Sequence, residues 1–201
     1  MKKFIFASPY QKPDRFDKGI YHASGNEKLN YDTETHFPII SVINGYADEN
    51  DSIEIVAVVS DYSNAKTNYK TFLDELDAIA NEKNLKVKLT PVEIPYGDEL
   101  DIQLEMFSKL IECTADDDEL FCDITYGTKV MSQILTMAVN YGYRIHSNVT
   151  LGCMVYAAKD FNGGIMKIYD ITSLNYMDEI VRMFAENKIK NPTDKIKELL
   201  K

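Results

Sequence analysis

The stretch LFCDITYGTKVMSQIL (residues 120–135) contains the end of a strand, a bend and the start of a helix. Its first residues are apolar, and we predict a buried strand over ELFCDIT (119–125). Gly127 permits a tight turn, and a new helix should begin near Thr128. Strand, turn and helix in this order are typical of a βα unit and therefore favour an α/β fold.

The alternation of strands and helices extends along the rest of the chain. Five further strands are predicted, over residues 4–7, 53–60, 87–94, 150–158 and 163–172. Pro91 places the strand 87–94 at an edge or a bulge, and the turn residues Asn162, Gly163 and Gly164 predict a hairpin between the last two strands. The resulting fold is α/β, with a Rossmann-like, mainly parallel sheet, flanking helices and a C-terminal β-hairpin and helix.

Apolar periodicity predicts the helices and the faces that they bury. A helix is expected over 35–47, and another has an inward stripe from Tyr69 to Ala80 after a cap at Asn64 or Thr67. Two more stripes should point inward: Leu100, Leu104, Phe107 and Ile111, and, after a cap at Thr172 or Ser173, Tyr176, Met177, Ile180, Val181 and Phe184.

The stretch 128–145 has almost no polar side. We therefore expect a helix that is buried all round, either inside the domain or against a second copy of the chain.

Length and composition indicate one globular unit over residues 1–187, since 201 residues with 45% hydrophobic content can bury a proper core. Residues 188–201 restart a helix at Pro192 and form a short lysine-rich tail, either solvated or bound to a partner. The chain has no run of about 18 apolar residues, and the apolar stretch near its start is too short for a signal peptide. We expect a cytoplasmic protein that does not bind membranes.

The charge pattern excludes some partners. A formal net charge of −10 disfavours binding to duplex DNA, which needs clustered Lys and Arg. Residues 98–119 hold nine acids against Lys109 alone, whereas residues 1–30 hold six Lys or Arg against three acids. An anionic ligand is therefore excluded from one face of the molecule and permitted at another.

The cysteines and histidines show no spacing typical of a metal site, so we expect no metal ion and three buried thiols. The chain lacks a Walker A loop, and no G-x-G-x-x-G follows its first strand. We expect no nucleoside triphosphate or dinucleotide cofactor.

Ligands of open α/β sheets bind beyond the carboxyl ends of the strands. Two stretches of this sequence extend beyond such strand ends. These are ASPYQKPDR (7–15) and DITYGTK (123–129). The first begins a connection of about 27 residues between a strand and a helix. A connection of this length in a compact domain is usually functional. Free N–H groups at the start of a helix attract anions. Thr128 and Gly127 alone are explained by a cap and a turn, but Thr125, Tyr126 and Lys129 add a hydroxyl, a ring and a cation suited to a phosphate with a base attached.

Asp-Ile-Thr-Tyr-Gly (123–127) resembles the Asp-x-Thr-His-Gly signature of the CRISPR-associated Rossmann-fold (CARF) proteins of type III systems, with Tyr126 in place of the commoner His. The loop Ala7-Ser8-Pro9-Tyr10 after the first strand also matches, and the resemblance covers about residues 1–185. It implies a homodimer that binds cyclic oligoadenylate across its two-fold axis through both loops. A ring of four adenylates suits that symmetry best.

The resemblance also implies roles for individual residues. Phosphates would meet Lys129, the helix start at Thr128 and the hydroxyls of Ser8 and Thr125, while Tyr10 or Tyr126 would stack on bases. The loop residues Pro9 and Gly127 would also belong to the ligand-binding site.

Two functions follow from the resemblance, namely a ring nuclease or a non-catalytic sensor that serves a larger or separate effector. In a ring nuclease Ser8 would orient the 2′-hydroxyl of the RNA and Lys129 would stabilise charge on the phosphate, without a metal ion. A generic α/β nucleotide-responsive regulator is a further alternative.

Other polar residues have simpler interpretations. Asp123, inside a strand, is expected to accept hydrogen bonds and hold the loop rather than act as a base. Arg15 is either a solvated charge or a group that reaches the ligand. His22 and His36 lie in the long connection, as bystanders or as an acid and a base.

Overall fold

The structure is a computed structural model that describes residues 1–160 and 164–199. Its described residues form one seven-stranded sheet in the order β2-β7-β6-β5-β1-β3-β4. The strands are β1 (Lys2–Ala7), β2 (Tyr21–Ser24), β3 (Ser52–Ser60), β4 (Lys86–Ile94), β5 (Glu119–Asp123), β6 (Thr150–Lys159) and β7 (Met166–Asp170). All neighbours are parallel except β6 and β7, which form the predicted antiparallel hairpin. Of its expected turn residues, Asn162 and Gly163 lie outside the described residues.

Helices cover both faces of this sheet, which confirms the predicted Rossmann-like α/β fold. They are α1 (Pro38–Tyr46), α2 (Ser63–Glu82), α3 (Leu100–Ile111), α4 (Lys129–Ile145), α5 (Thr172–Glu186) and α6 (Thr193–Leu199), with short 3-10 helices at Pro13–Arg15 and Glu27–Leu29. Side chains of α1 and α2 fill the core on one face, and those of α3 and α4 fill the core on the other. In the described part of the chain, no helix is both long enough and apolar enough to cross a membrane.

The central strands are continuous apolar runs because both of their faces are buried. In β3, every residue from Ile53 to Ser60 is buried. One of the two edge strands, β4, contains Pro91, which cannot donate a ladder hydrogen bond and is tolerated at an edge. The predicted edge position of this strand is confirmed.

The long connection after β1 contains a strand that the sequence pattern did not reveal. β2 pairs in parallel with β7, from Tyr21 opposite Met166 to Ser24 opposite Tyr169. Only Tyr21 is buried in this four-residue strand, so it shows too little alternation for period-two patterning to detect.

The helix caps were predicted with mixed success. Thr128 is the N-cap of α4, and its hydroxyl accepts a hydrogen bond from the Met131 N–H at 3.2 Å. The expected caps of α2 were wrong, because its N-cap is Tyr62 and the Asn64 side chain instead donates to the Tyr10 carbonyl at 3.1 Å. The N-cap of α5 is Ile171 rather than Thr172 or Ser173. Cys122 and Cys153 are buried as expected, whereas Cys113 is only half-buried.

The apolar stripes of α3, α4 and α5 do not all face the core. Leu135 of α4 is fully buried, but Met137 is 58% exposed, so within one chain α4 is not buried all round. On α3, the buried residues are Met106 and Leu110, whereas Leu100 and Leu104 point to solvent. The predicted stripe of α5 is also exposed at Tyr176, Met177 and Val181, while Phe184 is buried.

We call the exposed apolar side chains of these three helices the outer helical surface; its main members are Leu100, Leu104, Met137, Tyr141, Ile145 and Val181. A shallow groove of about 420 Å³ runs through it between Phe107, Tyr141 and Arg182. Residues of all three helices line this groove.

Candidate functional site

The strand order creates a crevice between β1 and β5. From β1 the chain proceeds through β3 to β4 on one side, and then returns to β5 on the other side of β1. Ligands of open α/β sheets bind at such a switch point. Two segments leave the sheet there: residues 8–12, called the β1 loop, and residues 124–128, called the signature bend. The structure thus brings together the two stretches that the sequence singled out.

Two hydrogen bonds to side chains and one glycine hold the signature bend in place. Asp123, at the end of β5, is buried and accepts a hydrogen bond from the Thr125 N–H at 2.8 Å. The Thr125 hydroxyl in turn accepts from the Ala157 N–H of β6 at 2.9 Å. Gly127 has φ +95°, and a Cβ there would lie 3.2–3.3 Å from Met131 and Ala7. Glycine is therefore required at this position.

Burial changes the acidity of Asp123. Loss of solvation raises the pKa of its carboxyl to about 6, although the hydrogen bonds from Thr125 oppose this shift. A hydrogen bond to the bend, as expected from the sequence, is present, and the carboxyl is too enclosed to meet a ligand directly.

Tyr126 anchors the bend to the start of α1. Its phenol donates to the His36 carbonyl at 2.9 Å and lies 3.2 Å from the phenol oxygen of Tyr21. Burial raises the pKa of both phenols, so they remain protonated at neutral pH. His36 is itself held by Glu75, whose Oε1 lies 2.6 Å from the His36 Nδ1. The hydroxyl of Tyr126 is engaged internally, and its ring forms a wall of the neighbouring pocket.

This pocket lies on the β6 and β7 side of the bend and has a volume of about 240 Å³. Arg15, Phe16 and Tyr126 line it, and a 2.9 Å ion pair between Lys159 and Asp17 crosses its rim. Sites for small molecules usually measure about 300–1,000 Å³. The pocket in one chain is smaller than this range.

The start of α4 combines a cation with an acid. Lys129 is exposed and, within the described residues, makes no hydrogen bond or ion pair. The Thr128 hydroxyl donates to the Asp98 Oδ1 at 3.0 Å. The N–H groups of the first turn and Lys129 favour an anion here, whereas Asp98 opposes one.

The β1 loop is fastened to α2 rather than open to the crevice. The Ser8 side chain is fully buried, and its hydroxyl donates to the Ala65 carbonyl at 2.7 Å. The Pro9 carbonyl accepts from the Asn68 side chain at 2.9 Å. Contact between the Ser8 hydroxyl and a substrate would require its bond to Ala65 to break. Tyr10, in contrast, is half-buried and next to α4.

Several residues at this edge were missed in the sequence, namely Phe16, Tyr21, Tyr62, Tyr96, Asp98 and Lys159. Tyr62, Tyr96 and Lys159 each lie at or within two residues of the carboxyl end of a strand. The rule that singled out the signature bend, applied to every strand, would have found these three. Tyr21 lies on the unrecognised β2 and carries no local signal.

No protein-family model matches the chain, and no curated protein matches its sequence. Within residues 1–160 and 164–199, no group of three or more His, Cys, Asp or Glu side chains is arranged to hold a metal ion. The functional argument therefore starts from the geometry of the switch point.

Proposed function

We propose that the chain binds cyclic oligoadenylate, with cyclic tetra-adenylate as the expected ring, at the signature bend of a homodimer in type III CRISPR antiviral signalling. One observation carries the proposal. The signature-like residues 123–127 lie at the switch point of the sheet, beside the β1 loop and next to the capped start of α4.

Phosphate recognition would come from α4. Its first-turn N–H groups carry the positive end of the helix dipole, and Lys129 adds a full charge that no described side chain neutralises. Arg15 supplies further positive charge at the rim of the neighbouring pocket, where Lys159 is paired with Asp17. These groups suit a ligand that carries several phosphates.

Two features support a shared site. A 240 Å³ pocket holds only part of a cyclic oligonucleotide, so a second copy would have to supply the rest. The outer helical surface exposes large apolar side chains on three helices, including Met137 at 58% and Ile145 at 57%. Exposed apolar surface of this kind marks interaction sites, and a two-fold interface repeats one patch on both subunits.

Cleavage of the ring requires little from the protein. The 2′-hydroxyl attacks the adjacent phosphorus and loses its proton, and the bond from phosphorus to the 5′-oxygen breaks. The products are a 2′,3′-cyclic phosphate and a free 5′-hydroxyl, which takes up a proton. Lys129 would stabilise the negative charge that develops on the phosphoryl oxygens. The attacking group belongs to the RNA, so proximity and orientation provide the rest.

A sensor without catalysis is the second candidate. The Ser8 hydroxyl favours this candidate, because it is buried, donates a hydrogen bond to the Ala65 carbonyl and does not face the crevice. In this reading Ser8 only positions the β1 loop, and the bound ring passes its signal to an effector.

Binding is tested by calorimetry with cyclic tri-, tetra- and hexa-adenylate. Lys129→Ala should weaken binding of the preferred ring by about 1.5–3 kcal/mol per subunit, because a charge-assisted phosphate bond is lost. Lys70→Ala, which removes an exposed lysine of α2, is the matched control and should bind like wild type. Absence of binding by every ring would overturn the proposal, and equal affinities for wild type and Lys129→Ala would remove Lys129 from the site.

Catalysis is tested separately, with labelled ring under single-turnover conditions. For a ring nuclease we expect products ending in a 2′,3′-cyclic phosphate, with and without a chelator. Lys129→Ala should slow the reaction by about two to three powers of ten, the scale for losing one charge-stabilising donor. Complete survival of bound ring over hours would identify a sensor.

A further inference from the structure

Three tyrosines form a cluster on the opposite side of the β1 loop from the pocket. Tyr10 follows β1, Tyr62 follows β3 and Tyr96 follows β4, so each lies beyond the carboxyl end of a neighbouring strand. The rings of Tyr62 and Tyr96 are stacked, with centroids 4.9 Å apart and planes 24° apart. Tyr10 is tilted against both, at 5.5 Å from Tyr62 and 5.7 Å from Tyr96.

The inner members of this cluster are fixed and the outer one is open. The Tyr10 phenol lies 3.2 Å from the Met131 sulfur of α4, and the Asn64 side chain donates to the Tyr10 carbonyl at 3.1 Å. Tyr62 is half-buried at the N-cap of α2. Tyr96 remains 59% exposed. An aromatic ring in the core would be covered on both faces. The Tyr96 ring instead stacks on Tyr62 and is accessible to solvent.

The cluster adjoins the start of α4. Tyr96 precedes Asp98 by two residues, and the Asp98 carboxylate lies 3.0 Å from the Thr128 hydroxyl. Two residues span at most about 7 Å. The Tyr96 ring is thus within reach of the base of a nucleotide whose phosphate lies at the first turn of α4.

We infer that Tyr96, stacked on Tyr62 and supported by Tyr10, is a stacking surface for a purine base. This inference rests on the proposed function and names a second base position, separate from the pocket lined by Phe16 and Tyr126. Every base has a π-face, and aromatic side chains use it without reading hydrogen-bond edges. A purine offers the larger face, so the surface favours an adenylate over a pyrimidine nucleotide.

The test uses cyclic tetra-adenylate in which one adenine is replaced by the fluorescent base 2-aminopurine. Stacking on a tyrosine should quench this base in the wild-type complex. Tyr96→Leu keeps apolar bulk but removes the π-face, so the quenching should be lost and affinity should fall about ten- to a hundredfold. Tyr96→Phe should behave like wild type. Tyr156→Ala, at a tyrosine of β6 with 44% exposure that lies outside both the pocket and the outer helical surface, is the control and should also behave like wild type.

The outcomes separate this inference from the proposed function. Wild-type affinity and full quenching in both Tyr96→Leu and Tyr96→Ala would overturn the stacking surface and leave ring binding intact. Failure of wild type to bind any ring would overturn the proposed function, and adenosine monophosphate would then be titrated while tyrosine resonances are followed by NMR. Shifts of the Tyr62 and Tyr96 signals that disappear in Tyr96→Leu would support a purine site, and unchanged spectra would overturn it.

Discussion

Asp123 joins the fold to the candidate site, because it ends β5 and holds the signature bend. Its burial raises the pKa of the carboxyl to about 6, above the ordinary value for an aspartate. Between about pH 4 and pH 6 the native state therefore retains a proton that the unfolded chain has released. The free energy of unfolding contributed by Asp123 falls as pH rises through this interval, and changes little above it.

Asp123→Asn should remove this dependence. Asparagine keeps an oxygen acceptor for the Thr125 N–H and does not titrate. We expect the free energy of unfolding of wild type, relative to Asp123→Asn, to drop by about 2 kcal/mol between pH 4.5 and pH 7.5. Urea unfolding at both pH values measures it, with the exposed Asp74→Asn as control. An identical pH dependence in wild type and Asp123→Asn would show that the buried carboxyl does not titrate in this range.

Individual residues were predictable where their partners are local. The cap at Thr128 and the hydrogen bond that Asp123 accepts from the Thr125 N–H each join residues two or three positions apart. The burial of Ser8 was not predictable, since its acceptor, Ala65, lies 57 residues away on α2. Sequence patterns describe near neighbours and contain little information about such distant contacts.

At the scale of elements, the start of α4 contains an internal competitor for anions. The Asp98 carboxylate accepts from the Thr128 hydroxyl, 30 residues along the chain, and lies where the helix dipole favours a negative group. A phosphate that binds there must displace this carboxylate or tolerate its charge.

Asp98→Asn should therefore tighten the binding of cyclic tetra-adenylate. Removal of one negative charge beside the first turn is worth about 0.3–1 kcal/mol, or about two- to fivefold in affinity, at low ionic strength. Calorimetry at low and high salt measures the change, and the gain should shrink as salt screens the charge. Weaker binding by Asp98→Asn would instead show that the carboxylate holds Thr128 in its binding geometry.

The long strands and helices were predictable from the sequence, as was their order along the chain. Strands buried on both faces and helices of three or more turns have strong patterns of apolar residues. The four-residue β2 was not, since its pairing partner is β7, far along the chain. The faces of α3 and α5 were misjudged for another reason. Apolar residues identify the helix face that will be buried, but they do not show whether it packs against the same chain or against another molecule.

At the scale of the whole molecule, the role of the outer helical surface is tested by a matched pair of substitutions on α4, at Leu135 and Met137. Leu135 is fully buried and Met137 is 58% exposed, two positions apart on one helix. A charge at the first position enters the core, whereas a charge at the second meets either solvent or a second copy.

Leu135→Glu should unfold the chain or destabilise it by about 3 kcal/mol or more, because a large apolar side chain is lost and a charge is buried. Met137→Glu should keep the wild-type melting temperature within a few degrees and dissociate the proposed dimer. Thermal denaturation and sedimentation velocity at micromolar concentration measure the two effects. A wild type that is monomeric with and without cyclic tetra-adenylate would contradict the shared-site proposal.

The pairing of β2 with β7 affects when the pocket can form during synthesis of the chain. The wall of the pocket around Tyr21 is tied to the far end of the chain by this pairing, by the ion pair of Asp17 with Lys159, 142 residues apart, and by the bond of Asn26 to Asp170, 144 residues apart. Chains are synthesised from the amino terminus, so β1, β3, β4 and β5 emerge well before these partners. The wall of the pocket that is synthesised first thus gains these contacts only after residues 159–170 have been made, and a nascent chain carries the signature bend before it carries a complete site.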